Sequence, residues 1–205
     1  MAKIMTAAEA VALIKDGDMI GWSGFVGGVF AEQIAATIQE SFLTTGHPCN
    51  LGILYAAGMG DSKEKGLNHL GEEGLLTKCI GGHYGLQPRV QKLALENKCA
   101  AYNFPQGVVS HLFRDIAARK PGTITHVGLK TFVDPRNEGG KLNELAKADN
   151  ITLEINRQEK QNNAGEYKLG LTALTEWGAQ AIFMTNEGVV NEVFPEISDN
   201  AADYK

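Results

Sequence analysis

The residues of this sequence that could bind or react with a ligand are concentrated in short loops rich in glycine. One loop, residues 128–136, follows an apolar stretch and combines Gly128 and Thr131 with an Asp-Pro turn and Arg136. A guanidinium binds a phosphate or a carboxylate through two parallel hydrogen bonds, although Arg136 could equally pair with Asp134 or a backbone carbonyl. Loops of this composition are typical of the carboxyl edge of a parallel sheet, where α/β proteins bind ligands. The loop therefore predicts a pocket at a sheet edge.

A second loop lies between a predicted strand and a predicted helix and contains Gly24, Phe25, Gly27 and Gly28. Glycines at this position allow backbone N–H groups to face an anion at the positive end of the helix. The oxyanion of a thioester or a substrate carboxylate would suit such a site, whereas a plain tight turn would need the same glycines. The spacing does not match the Gly-x-Gly-x-x-Gly pattern of dinucleotide-binding folds, which argues against a nicotinamide cofactor.

Two more loops carry one notable polar side chain each. Gln106, followed by Gly107, places an amide at the start of a predicted helix. An amide can hold a carboxylate because it both donates and accepts hydrogen bonds, although a helix start alone would explain the same residues. His83 lies among glycines and is either a base or a hydrogen-bonded structural residue. The structural role is the commoner one for a lone histidine.

Three further histidines and the cysteines predict neither a metal site nor a disulfide. No metal-ligand spacing relates His69, His111 and His126 to one another. The cysteines are widely spaced and odd in number: Cys49, Cys79 and Cys99. This pattern predicts reduced, buried thiols in a cytoplasmic protein.

Length and composition predict an α/β protein that binds neither nucleic acid nor a membrane. A chain of 205 residues with 43% hydrophobic residues and 24 glycines is long enough to bury a core in a single turn-rich domain. The net charge of −5 without a Lys/Arg cluster argues against nucleic acid. No apolar run approaches the roughly 20 residues of a membrane helix, and no signal-peptide region is visible.

Predicted strands and helices alternate along the chain. The capping box of Thr6 and Glu9 begins a first helix. The other predicted helices are residues 31–43, 88–97, 108–119 and 171–179, and the predicted strands are residues 19–22, 51–55, 78–80, 100–102, 123–127 and 181–184. This alternation predicts an open, mostly parallel twisted sheet with helices on both faces.

The loop at residues 128–136 resembles the Gly-x-Gly-Thr-Phe-x-Asp-Pro-Arg segment of family I coenzyme A transferases, of the acetate, propionate or 3-oxoacid type. Four more segments resemble motifs of that family in the family's order: residues 55–61, 66–70, 81–85 and 103–114. The resemblance covers about the first 143 residues and only the N-terminal, α-type half of the family. It implies an α-type domain at residues 1–143 and a divergent segment at residues 144–205 that completes it or is appended to it.

The resemblance implies transfer of coenzyme A between a short-chain acyl-CoA and a carboxylic acid. In the family a glutamate attacks the thioester and becomes a glutamyl-CoA thioester, with CoA as co-substrate and no permanently bound cofactor. That glutamate belongs to the C-terminal half or to a separate β-type chain, so a β-type partner or a homo-oligomer is implied. Glu187 lies in a segment only faintly similar to the nucleophile's setting, and an exposed carboxylate explains it as well. Gln106 is implied to line the acyl pocket.

The sequence departs from the family pattern at four positions. Ser23, Val29 and Ala31 replace a glycine, a glycine and a proline in the first loop, and Lys130 replaces a glycine in the last. Lysine does not adopt a positive φ cheaply if the loop needs one. These departures favour, as an alternative, a non-catalytic fragment or pseudo-subunit that binds CoA or small acids. A sugar-phosphate isomerase or sensor of related fold is a further alternative, but neither a basic phosphate loop nor an internal base is evident.

Overall fold

The structure is a computed structural model that describes residues 4–118, 122–134 and 137–146 and the two-residue strand Phe183–Met184. The chain forms two compact units. The first contains the described residues up to Val109 together with Lys141–Ala146, and the second contains those from Ser110 to Gly140 with the strand at residues 183–184. Arg136, Glu187 and the predicted helix at residues 171–179 lie outside the described residues.

A four-stranded parallel sheet forms the centre of the first unit, which confirms the α/β class. Its strands are β1 (Met19–Trp22), β2 (Leu51–Tyr55), β3 (Leu76–Gly81) and β4 (Ala100–Asn103), and they lie in chain order. All five residues of β2 are buried, as expected for an apolar strand inside a parallel sheet. Leu54 and Tyr102 lie on the face opposite Ile53 and are also buried. Both faces of the sheet are therefore covered at its centre.

Helices connect these strands. They are α1 (Ala7–Val11), α2 (Glu32–Thr45), a 3₁₀ helix (Leu67–Leu70), α3 (Pro88–Leu95) and α4 (Gln106–Ala117). The capping box of Thr6 and Glu9 begins α1 as predicted, and Gly46 with φ +79° ends α2. From α1 to α3 each helix contacts the next, so together they form one layer. No helix among the described residues is long and apolar enough to span a membrane.

Two elements end earlier than the sequence predicts. α3 ends at Leu95 and not at residue 97. In the second unit β5 is Thr123–Ile124 and pairs in parallel with β6, Phe183–Met184. The predicted strand continued to Val127, but the Val127 N–H donates to the Thr125 hydroxyl at 3.1 Å. This local hydrogen bond closes a turn in place of a strand.

Candidate functional site

Four loops meet at the carboxyl edge of the first unit's sheet, one after each of β1 to β4. The Val26 N–H of the first loop donates to the Gly58 carbonyl of the second at 2.9 Å. Gly82 of the third loop lies so close to the second and fourth loops that a Cβ there would be 2.1 Å from the Ala56 carbonyl oxygen and 2.8 Å from Gln106 Cγ. The loops are thus packed against one another, at the edge where parallel α/β sheets bind ligands.

The first loop is a tight hairpin closed by two hydrogen bonds between Phe25 and Gly28. The Phe25 N–H donates to the Gly28 carbonyl at 3.1 Å, and the Gly28 N–H donates back at 2.8 Å. Gly24 has φ +141°, and a Cβ there would lie 3.0 Å from the Gly28 oxygen. Only glycine fits at this position without movement of the loop.

The two hydrogen bonds of the hairpin occupy some backbone N–H groups of the glycine loop and leave others available to a ligand. Because the N–H groups of Phe25 and Gly28 close the hairpin, they do not face an anion. Within the part of the chain that the structure describes, the N–H groups of Gly24 and Gly27 have no acceptor. Gly27 is exposed, with no atom within 4 Å of the place a Cβ would occupy. Of the four residues predicted for the anion pocket, Gly27 is the best placed to donate.

His83 is exposed and lies between Gly58 of the second loop and Gly85 of its own loop. A Cβ on Gly58 would be 2.6 Å from His83 Nδ1, and one on Gly85 would be 3.0 Å from Cε1. Neither glycine has a positive φ. Glycine is needed at both positions because the Cβ of a larger residue would come too close to the imidazole of His83. The imidazole is therefore closely packed between these two glycines.

Gln106 and Gly107 form the start of α4 and are both exposed. The Val109 N–H donates to the Pro105 carbonyl, so the helix's own hydrogen bonds begin after the first turn. The N–H groups of that first turn carry the positive end of the helix dipole. The helix start therefore presents donors beside the Gln106 amide.

A buried polar cluster that the sequence did not indicate supports the third loop. Gln87, fully buried, donates from Nε2 to the Tyr55 hydroxyl at 2.6 Å and to the His83 carbonyl at 2.7 Å. Tyr84 donates to the carbonyl oxygens of Cys79 and Tyr102 at 3.0 and 2.7 Å. Burial raises the pKa of both tyrosines well above the usual value, so both stay neutral. The sequence signal that could have indicated this cluster is the presence of polar residues, such as Tyr55 and Gln87, within an otherwise apolar strand and loop.

The cysteines are all free, as predicted. Cys79 and Cys99 are buried as predicted, whereas Cys49 is only half-buried, which differs from the prediction. Burial raises the pKa of the Cys79 thiol to about 12 and that of Cys99 to about 11. Neither is a nucleophile at neutral pH, because the thiolate is the reactive form.

Four residues other than glycine adopt a positive φ in the candidate loops: Val26 at +57°, Val29 at +58°, Ser62 at +63° and Lys130 at +65°. The first loop thus places two β-branched residues in a conformation that only glycine adopts freely. Val29 and Lys130 stand where the family pattern has glycine, and both positions do require the left-handed backbone. Departures from the pattern therefore carry strain at two sites.

In the second unit, the loop containing Gly128 and Thr131 is a compact series of turns. The Thr131 hydroxyl donates to the Gly128 carbonyl at 2.6 Å, and the Lys130 N–H donates to Asp134 Oδ2 at 2.7 Å. Gly128 has φ +96°, and Asp134 is buried. Gly128, Thr131 and Asp134 therefore shape this loop, while Arg136 lies outside the described residues.

The loops of the site contain little that could act as a carboxylate nucleophile. The loops after β1, β3 and β4 have no Asp or Glu before the next helix. In the loop after β2, the Asp61 carboxylate accepts the N–H groups of the three residues from Lys63 to Lys65, which lowers its pKa. Glu32, at the start of α2, accepts the Gly66 N–H and faces His69. These two carboxylates hold structure in place, whereas Glu64 of the loop after β2 is exposed. Among the described residues, these loops therefore offer several donors and one exposed carboxylate.

The comparisons with known proteins identify the class of protein to which this set of glycine loops on a parallel sheet belongs. The profile of the coenzyme A transferase family matches residues 4–179. The chain therefore belongs to the coenzyme A transferase family, and the resemblance to its family I members is confirmed. The match continues past residue 143, while the predicted division of the chain there stays a prediction.

Two characterised relatives have similar sequences. The chain is 41% identical over 195 residues to caffeate CoA-transferase of Acetobacterium woodii, an alignment covering 94% of this chain and 37% of the relative. It is also 41% identical over 151 residues to acetate CoA-transferase YdiF of Escherichia coli K12, covering 73% of this chain and 28% of YdiF. The chain thus spans about a third of the length of these relatives.

Solved structures of YdiF from Escherichia coli O157:H7 have the same fold over most of the described chain. The crystal structure of the apoenzyme matches with a TM-score of 0.68 and 41% identity, over 70% of this chain and 28% of that one. The thioester complex with CoA matches with a TM-score of 0.71 and 40% identity, over 75% of this chain and 30% of that one.

Proposed function

We propose that this chain is the α-type part of a CoA transferase that moves CoA between a short-chain acyl-CoA and a carboxylic acid. The nucleophilic glutamate, which becomes a glutamyl-CoA thioester, comes from another chain or from a part of the enzyme that this chain lacks. Coenzyme A is a co-substrate, and no permanently bound cofactor is required. The cytoplasm, where acyl-CoA and reduced thiols are found, is the proposed location.

The observation that carries the proposal is a site rich in donors but poor in nucleophiles. Gly27, the start of α4 and Gln106 supply N–H groups and an amide, whereas Asp61 and Glu32 are tied into the backbone. An edge of this kind can bind an acyl carboxylate or stabilise an oxyanion, while the anchored carboxylates of Asp61 and Glu32 are not available to form the acyl-enzyme bond. This division supports a glutamate supplied from outside the described residues.

The reaction divides between the two parts of the enzyme. The glutamate carboxylate attacks the thioester carbonyl, and the C–S bond breaks to give an acyl-glutamyl anhydride and CoA thiolate. The thiolate attacks the glutamyl carbonyl, which forms glutamyl-CoA and releases the acyl group as a carboxylate. An incoming carboxylate reverses both steps and leaves as the new acyl-CoA. In this scheme the N–H of Gly27 and those at the start of α4 face the developing oxyanions, and Gln106 and His83 line the acyl side.

The partner is a β-type CoA-transferase chain or a second copy of this chain. Phe25 and Val29 are 65% and 91% exposed at the edge where the donors lie. Large apolar side chains grouped beside a site are typical of a surface that another chain or a ligand covers. A partner seated there would place its glutamate opposite the donors.

A non-catalytic, ligand-binding role is a second candidate, favoured by the strain at Val29 and Lys130. A chain that kept catalysis would be expected to keep glycine at positions that need the left-handed backbone. Under this alternative the chain binds CoA or small acids without turnover.

Transfer of CoA from propionyl-CoA to acetate tests the two candidates. We expect no transfer by the purified chain alone and transfer when a β-type chain is co-expressed with it. The matched pair Gln106→Ala and Gln33→Ala, the second on the exposed side of α2, is compared in the mixture. Loss of rate only for Gln106→Ala supports the acyl-pocket role. CoA binding without transfer in the mixture would favour the non-catalytic candidate.

A further inference from the structure

Three side chains that can bind a metal come together at the amino edge of the sheet, opposite the candidate site. Asp16 precedes β1, while His47 and Cys49 precede β2. The amino ends of parallel strands share one edge, which brings these two connections together although more than 30 residues separate them in sequence. One carboxylate oxygen, one imidazole nitrogen and the thiol sulfur all lie within 4.8 Å of one another.

The contacts within the cluster are short and directed. His47 Nδ1 lies 2.8 Å from Asp16 Oδ2. The other carboxylate oxygen of Asp16 accepts the Cys49 N–H, also at 2.8 Å. One oxygen therefore fixes the carboxylate to the backbone and leaves the second for a ligand role, as hydrogen bonds behind a metal ligand do.

The backbone around the cluster is fixed by bonds that need no ion. The Gly17 N–H donates to the Cys49 carbonyl at 2.9 Å and joins the two connections. The His47 N–H donates to the Thr45 hydroxyl at 3.1 Å, and the His47 carbonyl accepts the Ser41 hydroxyl at 2.7 Å. The three side chains are thus presented from a prearranged frame, which lowers the entropic cost of binding an ion.

We propose that Asp16, His47 and Cys49 form a binding site for a divalent ion of the zinc type. A thiolate and a carboxylate together neutralise the ion's two positive charges, and the neutral imidazole is the third ligand. Sulfur, nitrogen and oxygen ligands in one set select Zn²⁺ or Co²⁺ over Mg²⁺ or Ca²⁺, which prefer oxygen alone. Water completes the tetrahedron, the proton of the thiol passes to solvent, and the single ring proton of the neutral His47 moves from Nδ1 to Nε2.

The distances allow this with little movement. Ligand bonds of about 2.0–2.3 Å in a tetrahedron separate the ligand atoms by about 3.3–3.8 Å. The His47–Asp16 contact must open by about half an ångström as the ion replaces the proton between them, and the sulfur must close by up to about 1 Å. His47 and Asp16 are 69% and 44% exposed in their side chains, so an ion can enter from solvent.

The competing account of these contacts is that they join the two connections by hydrogen bonds alone, without a metal ion. Under that account the Asp16 carboxylate accepts the Cys49 N–H, and His47 only hydrogen-bonds to the same carboxylate. The two accounts differ in the role of the sulfur, because hydrogen bonding alone does not require a thiolate.

Co²⁺ titration of the tag-free, chelator-treated chain tests the sulfur directly. We expect saturation at one ion per chain, with a thiolate-to-cobalt charge-transfer band that one equivalent of Zn²⁺ abolishes. Cys49→Ser should remove the band, and His47→Gln and Asp16→Asn should weaken binding by more than the roughly 10–100-fold that loss of a supporting contact costs. His126→Gln, which changes an exposed histidine of the second unit, should leave binding unchanged. Absence of a band in the wild-type chain, or its survival in Cys49→Ser, overturns the proposal.

Alkylation of the unaltered chain gives a second test that does not depend on how the variants fold. Iodoacetamide is added with and without Zn²⁺, and the modified peptides are mapped by mass spectrometry. We expect Zn²⁺ to slow modification of Cys49 at least tenfold and to leave the buried Cys79 and Cys99 as they were. An unchanged rate at Cys49 in saturating Zn²⁺ contradicts a zinc–sulfur bond.

Discussion

Replacing Val29 by glycine is expected to stabilise the protein, because Val29 holds a backbone conformation that its side chain disfavours. Its φ is +58°, in the left-handed region that costs a residue with a Cβ about 1–2 kcal/mol. The side chain is 91% exposed, so its removal loses almost no burial. The greater freedom of glycine in the unfolded chain opposes the gain by about 0.5–1 kcal/mol. The expected net gain is about 0.5–1 kcal/mol, or a rise in Tm of about 1–4 °C.

Urea unfolding followed by circular dichroism measures this difference. Val29→Ala is the first control, because it removes the branched side chain but keeps the Cβ, and we expect it to recover less than half of the gain. Leu43→Gly is the second, because Leu43 is 63% exposed within α2 and glycine inside a helix costs about 1 kcal/mol. If Val29→Gly lowers the free energy of unfolding as Leu43→Gly does, the left-handed backbone at Val29 is not strained and the reasoning is refuted.

Three further predictions follow from the loops and the buried thiols. Gly82→Ala should lower the free energy of unfolding by about 2–3 kcal/mol, because the new Cβ would lie 2.1 Å from the Ala56 oxygen. Gly27→Ala is the control and should change stability little, because its Cβ would lie in open space. Equal effects of the two variants in denaturant titrations would contradict the close packing of Gly82 against the second loop. At pH 8 iodoacetamide should modify Cys49 first. The pKa values of about 12 and 11 leave only about one part in ten thousand of Cys79 and one in a thousand of Cys99 as thiolate. Comparable rates at all three cysteines in the folded chain would show that burial does not protect Cys79 and Cys99. The N–H of Lys65, followed by those of its neighbours, lowers the pKa of Asp61. Asp61 therefore contributes stability above its unfolded pKa of about 3.9, and this contribution is lost as the pH falls through the lower folded pKa. Asp61→Asn should flatten the acid limb of the curve of stability against pH, and an unchanged slope would argue against this role of Asp61.

The sheet could be predicted from sequence because its strands carry an unambiguous pattern. The apolar run of β2 lies between polar stretches in a chain whose predicted strands and helices alternate, and it therefore predicts a strand. The predicted bounds of β2 agree with the structure residue for residue. The start of the short strand β5 was predicted correctly but its end was not, since the end depends on a hydrogen bond between Val127 and Thr125 that competes with strand pairing. The residue types at positions 124–127, two apolar and two polar, do not reveal that competition.

The candidate site could be located from glycines but not resolved into roles. Glycine-rich loops indicated where the backbone comes close, yet whether an N–H is free depends on hydrogen bonds such as the one that closes Phe25 on Gly28. The buried contacts of Gln87 with Tyr55 arise from residues 32 positions apart. The group of Asp16, His47 and Cys49 also depends on two connections meeting at one edge of the sheet, for which the only local signal is a His and a Cys two residues apart.

The mass of each chain after incubation with propionyl-CoA tests the central claim most directly, namely that this chain supplies donors and another supplies the glutamate. The chain is incubated alone and with a co-expressed β-type chain, and covalently bound CoA is located by peptide mapping. We predict no CoA adduct on this chain, Glu187 included, and a glutamyl-CoA thioester on the partner. A CoA thioester at Glu187 when the chain is incubated alone would contradict the account and show a self-sufficient enzyme.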